Sequence, residues 1–194
     1  MNIASIIYDK FYKGKRDGIF VECGAIDGVK NNHCLILQKN HNWVGFNFEP
    51  NKYSFKLLEV NRPKDMNINK ALSKIDGTTS FFLPKGKYNN KINGGGTLNE
   101  NLRDDIVEIF NIDTIKFSTF ISEYGVSKID LMILDVEGHE LDVLKGFKGS
   151  NVLPDVMAIE VNKVDERKLD TMMIGLGYKK DKLNIGPINK VYKR

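Results

Sequence analysis

The sequence predicts an α/β fold with a mostly parallel sheet and helices on both faces, and three observations carry that prediction. Short apolar runs alternate with helical segments along the chain. Three of the runs end in an acid, as in Phe20-Val21-Glu22, Phe46-Asn47-Phe48-Glu49 and Ile133-Leu134-Asp135. Glycine turns follow two of them, containing Gly24 and Gly28 in one case and Gly138 in the other. In an open parallel sheet, ligands bind outside the carboxyl ends of the strands, where the turn must let backbone come close.

The elements follow in order. Residues 2–11 place Ile3, Ile6, Ile7 and Phe11 at helical spacing, interrupted by Asp9 and Lys10, and read as a short docking helix within an N-terminal segment, 1–18. Residues 19–22 form the first strand. Residues 31–40, with Cys34, Leu35 and Leu37 apolar, form the first crossover helix. The second strand, 43–49, is closed by Pro50, which cannot donate to a ladder. A second crossover, 53–60, leads to a strand at 65–69, and the weak alternation of 79–84 fits a strand at the sheet edge. Residues 85–101, with Gly94-Gly95-Gly96 among Asn and Lys, lack periodicity and apolar weight. They read as a flexible loop, either a cover over the site or a plain connection. A helix at 119–124 precedes the strand 130–134, which is continuously apolar after its first residue and so is buried on both faces. The next helix begins near Gly138, with Glu140 at the positive end of its dipole and Gly146 as its stop. A strand at 156–161, a last helix at 168–175 and two terminal strands ending at 190–192 complete the chain, the last two forming an antiparallel hairpin.

Composition bounds the function. A chain of 194 residues, 41% of them hydrophobic, has the size of one domain spanning 1–194. The net charge of +4 is spread among acids except at Lys179-Lys180 and the tail Lys190, Lys193, Arg194, a pattern of solvated surface rather than of a nucleic-acid stripe. Cys23 and Cys34 are too few and too far apart for a zinc cluster or disulfide framework, so reduced thiols and a cytoplasmic location are expected. No apolar stretch approaches the ~20 residues of a membrane span, and no membrane partner is expected.

The acids at the strand ends indicate the ligand. A dinucleotide pyrophosphate calls for G-x-G-x-x-G, but Ala25-Ile26 occupy that region, and Glu22 would repel a pyrophosphate while suiting an ammonium-bearing ligand such as S-adenosylmethionine. Glu49 lies roughly 20 to 30 residues past the first turn, where a carboxylate accepts from both ribose hydroxyls. The alternative for it is a solvated loop acid. Asp135, Glu137 and His139 converge at the end of the central strand as candidates for catalysis, although a histidine in a first helical turn is also a common solvated or capping residue. Asp135, Glu160 and Asn162 offer oxygens on adjacent strand ends to a Mg²⁺ ion, but nothing in their spacing demands a metal.

These segments resemble the FkbM-type family of S-adenosylmethionine-dependent methyltransferases. The family pattern is an acid-x-Gly-Ala-x-Asp-Gly turn, a later Glu-Pro-Asn, and Asp-Val-Glu-Gly-x-Glu-x-x-x-Leu-x-Gly. Here these correspond to residues 22–28, 49–51 and 135–146 in the same order and spacing. Further similarity covers 69–73, Gly77, Phe81-Phe82 and 189–192. Glu22 stands where the family more often has Asp, and Ile26 where a polar residue is common. The resemblance implies a Rossmann-like class I methyltransferase sheet. It implies S-adenosylmethionine held by Glu22, Gly24, Ala25, Asp27, Gly28, Glu49, Asn51, Asn69, Ala71 and Asp135, with Asp135, Glu137 and His139 on the acceptor side. The implied acceptor is a hydroxyl of a sugar, glycan or other small polyhydroxylated metabolite. A nucleic-acid methyltransferase is the alternative within this chemistry, but the sequence has neither the Asp/Asn-Pro-Pro-aromatic signature of amino methylation nor a Pro-Cys pair. A non-catalytic binding module is the alternative outside it, and buried acids at three strand ends argue against that.

Overall fold

A computed structural model describes residues 2–86, 91–92 and 94–194. Its main sheet has seven strands in the order β3-β2-β1-β7-β8-β10-β9. These are β1 (Ile19–Cys23), β2 (Val44–Phe48), β3 (Met66–Ile68), β7 (Leu131–Leu134), β8 (Val156–Glu160), β9 (Lys179–Lys180) and β10 (Asn189–Lys193). The first five are parallel neighbours, and β10 runs antiparallel to both β8 and β9. The terminal hairpin therefore forms at one edge.

Both faces of the central strands β1, β7 and β8 are covered. On one face Val21, Cys23, Phe48, Met132 and Leu134 pack with Phe117 and Phe120 of α4 (Phe117–Glu123), Val143 and Leu144 of α5 (Glu140–Lys145), and Leu169 and Met173 of α6 (Glu166–Gly175). On the other, Phe20, Leu131, Ile133 and Val156 meet Trp43, Cys34 and Leu37 of α2 (Leu35–His41), together with Ile3, Ala4 and Ile7 of α1 (Ile3–Ile7). A π-helical turn, Tyr8–Tyr12, continues α1. The crossover α3 (Lys52–Asn61) starts where the Asn51 side chain accepts from Tyr53 N, satisfying one of the orphan amides of its first turn. Among the described residues, no helix is long and apolar enough to cross a membrane. Both cysteines are buried and free.

Two features differ from the sequence expectation. Residues 79–84 belong to β5 (Gly77–Pro84), which lies in a second, three-stranded sheet rather than at the edge of the main one. Its partner β6 (Ile106–Lys116) is a segment the sequence left unassigned, and β4 (Ala71–Ser73) completes the order β4-β6-β5. Apolar residues fall on both faces of β6, with Val107 and Ile109 exposed opposite Phe110 and Ile112, so no clean alternation marks it. Of the loop expected at 85–101, residues 87–90 and 93 lie outside the described residues. Its later part is tied down by the antiparallel bridge Phe82–Thr97 and a 3₁₀ turn, Glu100–Leu102.

Candidate active site

Strand β1 continues to β2 on one side of the sheet, while β7 and β8 lie on the other, so the topological switch point falls between the ends of β1 and β7. The backbones there are in contact. Gly24 has φ +85°, and a Cβ on it would sit 2.2 Å from the Asp135 carbonyl oxygen. The amides of Gly24 and Ala25 donate to Phe48 O at 3.0 and 3.2 Å, and Asp135 N donates to Cys23 O at 3.3 Å. Glu49, 4% exposed, accepts from Ile26 N and Asn51 N, each at 2.8 Å. It thus joins the turn after β1 to the turn after β2. Burial pushes its carboxyl up to about 8 despite those two donors.

Two recesses open at this junction. One is mostly apolar, walled by Phe48, Ala71, Leu72, Phe81 and Leu98 and bordered as well by Glu49, Asp135, Glu137 and His139. The second is a polar cleft of about 790 Å³ bordered by Glu22, Asn31, Asn32, His33, Glu160 and Asn189, and again by Asp135 and Glu137. Gly94 borders both and packs on Ile26, where a Cβ would come within 2.7 Å of Ile26 Cδ1.

The turn after β7 is held in an uncommon backbone conformation. Glu137 has φ +56°, which a side chain adopts at a cost and which clusters at functional sites. Glu140 reaches back to accept from Val136 N at 3.1 Å and Gly138 N at 3.3 Å, and Thr97 Oγ1 donates to Glu137 O at 3.0 Å. Lys163, in the turn after β8, forms an ion pair with Glu137. Burial followed by the Glu160 and Glu137 charges raises the Asp135 carboxyl to about 8, and burial followed by the Glu137 charge raises Glu160. His139, the N-cap of α5, does not cap with its side chain. Its Nε2 lies 3.0 Å from Ser73 Oγ of β4, and burial lowers its pKa and favours the neutral imidazole.

The sequence matches the methyltransferase FkbM domain over residues 22–180. The chain belongs to the FkbM methyltransferase family. Its backbone is similar to that of a methyltransferase FkbM from Methylobacillus flagellatus KT, with a TM-score of 0.63 and 12% identity, covering 100% of this chain and 48% of that one. The chain thus spans about half the length of that relative. It is also similar to a precorrin-6y C5,15-methyltransferase from Geobacter metallireducens, with a TM-score of 0.54, 9% identity and coverage of 99% and 85%. A third similarity is to Aeropyrum pernix fibrillarin in complex with natively bound S-adenosylmethionine, with a TM-score of 0.54, 12% identity and coverage of 98% and 73%. No curated protein sequence gives a significant match.

Within this FkbM family member, the residues singled out from sequence divide into two groups. Gly24, Glu49, Ala71, Asp135, Glu137 and His139 border the apolar recess. The others hold its turns. Glu22 borders the cleft, but its carboxylate accepts from His33 N at 2.7 Å and Cys34 N at 3.3 Å, and burial raises it to about 7. Ala25 is fully buried, and its carbonyl accepts from Gly28 N and Asn32 Nδ2. Asp27 accepts from the amides of Val29 and Lys30, and Gly28, at φ +76°, lies against Leu58 and Arg62. Asn51 caps α3 and donates to Lys91 O, and Asn69 donates to the carbonyls of Glu49 and Pro50. Asn162 is exposed and borders neither recess, and among the described residues no three His, Cys, Asp or Glu side chains are grouped to hold a metal ion. Sequence reasoning missed Lys163, Thr97 and Ser73. Only Lys163, three residues past the strand-end acid Glu160, stands where a signal could have been sought.

Proposed function

We propose that this protein transfers a methyl group from S-adenosylmethionine to a hydroxyl of a sugar or other small polyhydroxylated metabolite. The observation that carries this reading is that Asp135 and Glu137 border both recesses, one fit for an adenosine and one for a polar acceptor. Apolar walls at Phe48, Leu72 and Phe81 suit a flat base, and the Glu49 carboxylate at the end of β2 suits ribose hydroxyls. The side-chain-free turn at Gly24 admits the rest of the donor to the crevice. Free space in the apolar recess is about 40 Å³, well below the roughly 300 Å³ of the smallest usual ligand pockets. The segment carrying Gly94, Gly96 and Leu98 therefore has to move outward to admit the base.

The bound donor would supply a methyl group on a sulfonium, activated for in-line displacement by an oxygen. The protein chiefly has to align the acceptor, an entropic contribution of about 7 to 11 kcal/mol in well-oriented systems. Removal of the hydroxyl proton adds ~10²–10⁴-fold. In this assignment Asp135, in its ionised form, takes that proton, while Glu137, paired with Lys163, orients the hydroxyl. Asn31, His33 and Asn189 give the cleft donors and acceptors of the kind a polyol requires. The test is incubation of the protein with S-adenosylmethionine and a metabolite extract, followed by mass spectrometry. A methyl-sized gain on a hydroxyl compound together with S-adenosylhomocysteine is expected; release of S-adenosylhomocysteine with the methyl on nitrogen or carbon would contradict the hydroxyl assignment.

A further inference from the structure

Among the described residues, five other than glycine adopt a left-handed backbone: Asp17, Ile26, Asn31, Asn42 and Glu137. Three are Asp or Asn, whose short polar side chains tolerate that conformation. Ile26, at φ +52°, is β-branched and is the outlier of the set. The turn itself does not call for an isoleucine. Ile26 N donates to Glu49 Oε2 at 2.8 Å and Gly28 N donates to Ala25 O at 2.9 Å, and on the side of this turn both bonds use backbone alone, which an asparagine would supply with less strain. Nor does the core call for it. The side chain is partly exposed and belongs to none of the buried apolar clusters around the two sheets. It borders the polar cleft and lies against Gly94, where an added Cβ would come within 2.7 Å of Ile26 Cδ1 and 3.4 Å of Ile26 Cγ1. Cys23, Gly24, Gly94, Asp135 and Glu137 border both recesses and so frame the junction between them. Ile26 supports the one member of that frame, Gly94, that does not come from a strand end of the main sheet.

We propose that the Ile26 side chain is a donor-selecting contact, closing with Gly94 over the aliphatic chain that joins the nucleoside of S-adenosylmethionine to its amino-acid end. This rests on the methyltransferase reading above. With the base in the apolar recess and the acceptor in the polar cleft, the sulfur falls at the junction, and the atoms flanking it are methylene groups. An aliphatic side chain laid over them removes apolar surface from water, whereas a polar side chain at position 26 would satisfy the turn and leave that surface wet. The strain at Ile26 is thus maintained for what its side chain touches, as at other ligand clamps where the surroundings hold a residue in a sparsely populated conformation. The bond to Glu49 on one side and the contact with Gly94 on the other supply those surroundings. A nucleoside that lacks the chain does not cross the junction and offers Ile26 nothing to cover, so the contact favours the complete donor over its adenosine fragment.

The test is calorimetric titration of the whole chain with S-adenosylhomocysteine and with adenosine. Ile26→Asn is expected to weaken S-adenosylhomocysteine by about tenfold or more, the scale of covering one aliphatic group, and to change adenosine by less than about threefold. Gly94→Ala is expected to weaken S-adenosylhomocysteine as well, because the added methyl group displaces Ile26 Cδ1. Ile26→Val removes that atom, so the double variant should recover much of the affinity that Gly94→Ala loses. Unchanged S-adenosylhomocysteine affinity in Ile26→Asn overturns the proposal. Equal loss of both ligands also overturns it, since residue 26 would then act only through Glu49 and the ribose site. Should Ile26→Asn not fold, the Gly94→Ala pair decides alone, and no recovery in the double variant overturns the proposal. Failure of the unaltered protein to bind either S-adenosylmethionine or S-adenosylhomocysteine removes the methyltransferase reading and this inference with it.

Discussion

Glu49 illustrates how one side chain does two jobs. Its two oxygens accept from the amides of Ile26 and Asn51, and it ends β2 at the mouth of the apolar recess. Under the proposed function, Glu49→Ala removes a carboxyl acceptor from the ribose site and orphans two amides. Donor affinity is expected to fall by ~1.5–3 kcal/mol, with a loss of stability of similar size, as read by calorimetry and thermal unfolding. For Asp135, the pKa of about 8 sets the sign of the pH dependence. Turnover that needs its ionised form should rise as pH increases through about 8, and Asp135→Asn should lower kcat by about 10²-fold or more and abolish that rise. Glu137→Gln should lower kcat comparably, whereas His139→Ala, which loses a hydrogen bond to Ser73, should do less. Single-turnover rates across pH decide between these roles; full activity in Asp135→Asn with loss in His139→Ala would move the base to the imidazole. At this scale the sequence was informative about which acids lie at strand ends. It did not distinguish acids that face a recess from those spent on turns, such as Asp27, because both kinds follow a strand and precede a helix.

The elements around the site explain why some of the fold was legible and some was not. The central strands β1, β7 and β8 read as apolar runs because both of their faces are covered, and an acid or glycine at the end of each marks where the crevice begins. The small sheet gave no such signal. Its longest strand, β6, mixes apolar and polar residues on both faces, and its partners join it from distant parts of the chain. The segment after β5 is where the difference matters most for function, since Gly94 and Gly96 lie against Ile26 and Phe81, and Thr97 bonds to Glu137 O. Filling the narrow recess requires this segment to move and then settle on the ligand. Hydrogen exchange at the amides of Gly94, Gly96 and Thr97 should slow when donor product and acceptor are both bound; unchanged exchange would leave the segment as a connection only. Gly24 tests the strand junction itself. Because a Cβ there would meet Asp135 O at 2.2 Å and φ is +85°, Gly24→Ala should force β1 and β7 apart and abolish donor binding even where the protein still folds.

For the molecule as a whole, burial of acids at one end of the sheet has a thermodynamic consequence. Glu22 is raised to about 7, and Glu49 and Asp135 to about 8, from ordinary values of 4.5, 4.5 and 3.8. For groups raised in this direction, the stabilising contribution is complete below their unfolded values and fades as pH rises through the folded ones. The partly buried histidines, His33 and His139, are shifted downward by desolvation and act only below the ordinary imidazole value of 6.5. The ligand-free protein should therefore lose stability as pH rises from about 6.5, where the histidines no longer act, to about 8, and level off above that, less steeply in Asp135→Asn, as followed by the unfolding midpoint. A flat or rising midpoint would show that these acids ionise freely in the folded state. That arrangement is what a cofactor site at the switch point predicts, and the direct measurement of it is calorimetric titration of the purified protein with S-adenosylmethionine, S-adenosylhomocysteine and NAD. Binding of the first two, NAD weaker by more than tenfold, and a loss of at least tenfold in donor affinity in Glu49→Ala are the expected results. No binding of S-adenosylmethionine, or equal affinity in Glu49→Ala, would contradict the assignment.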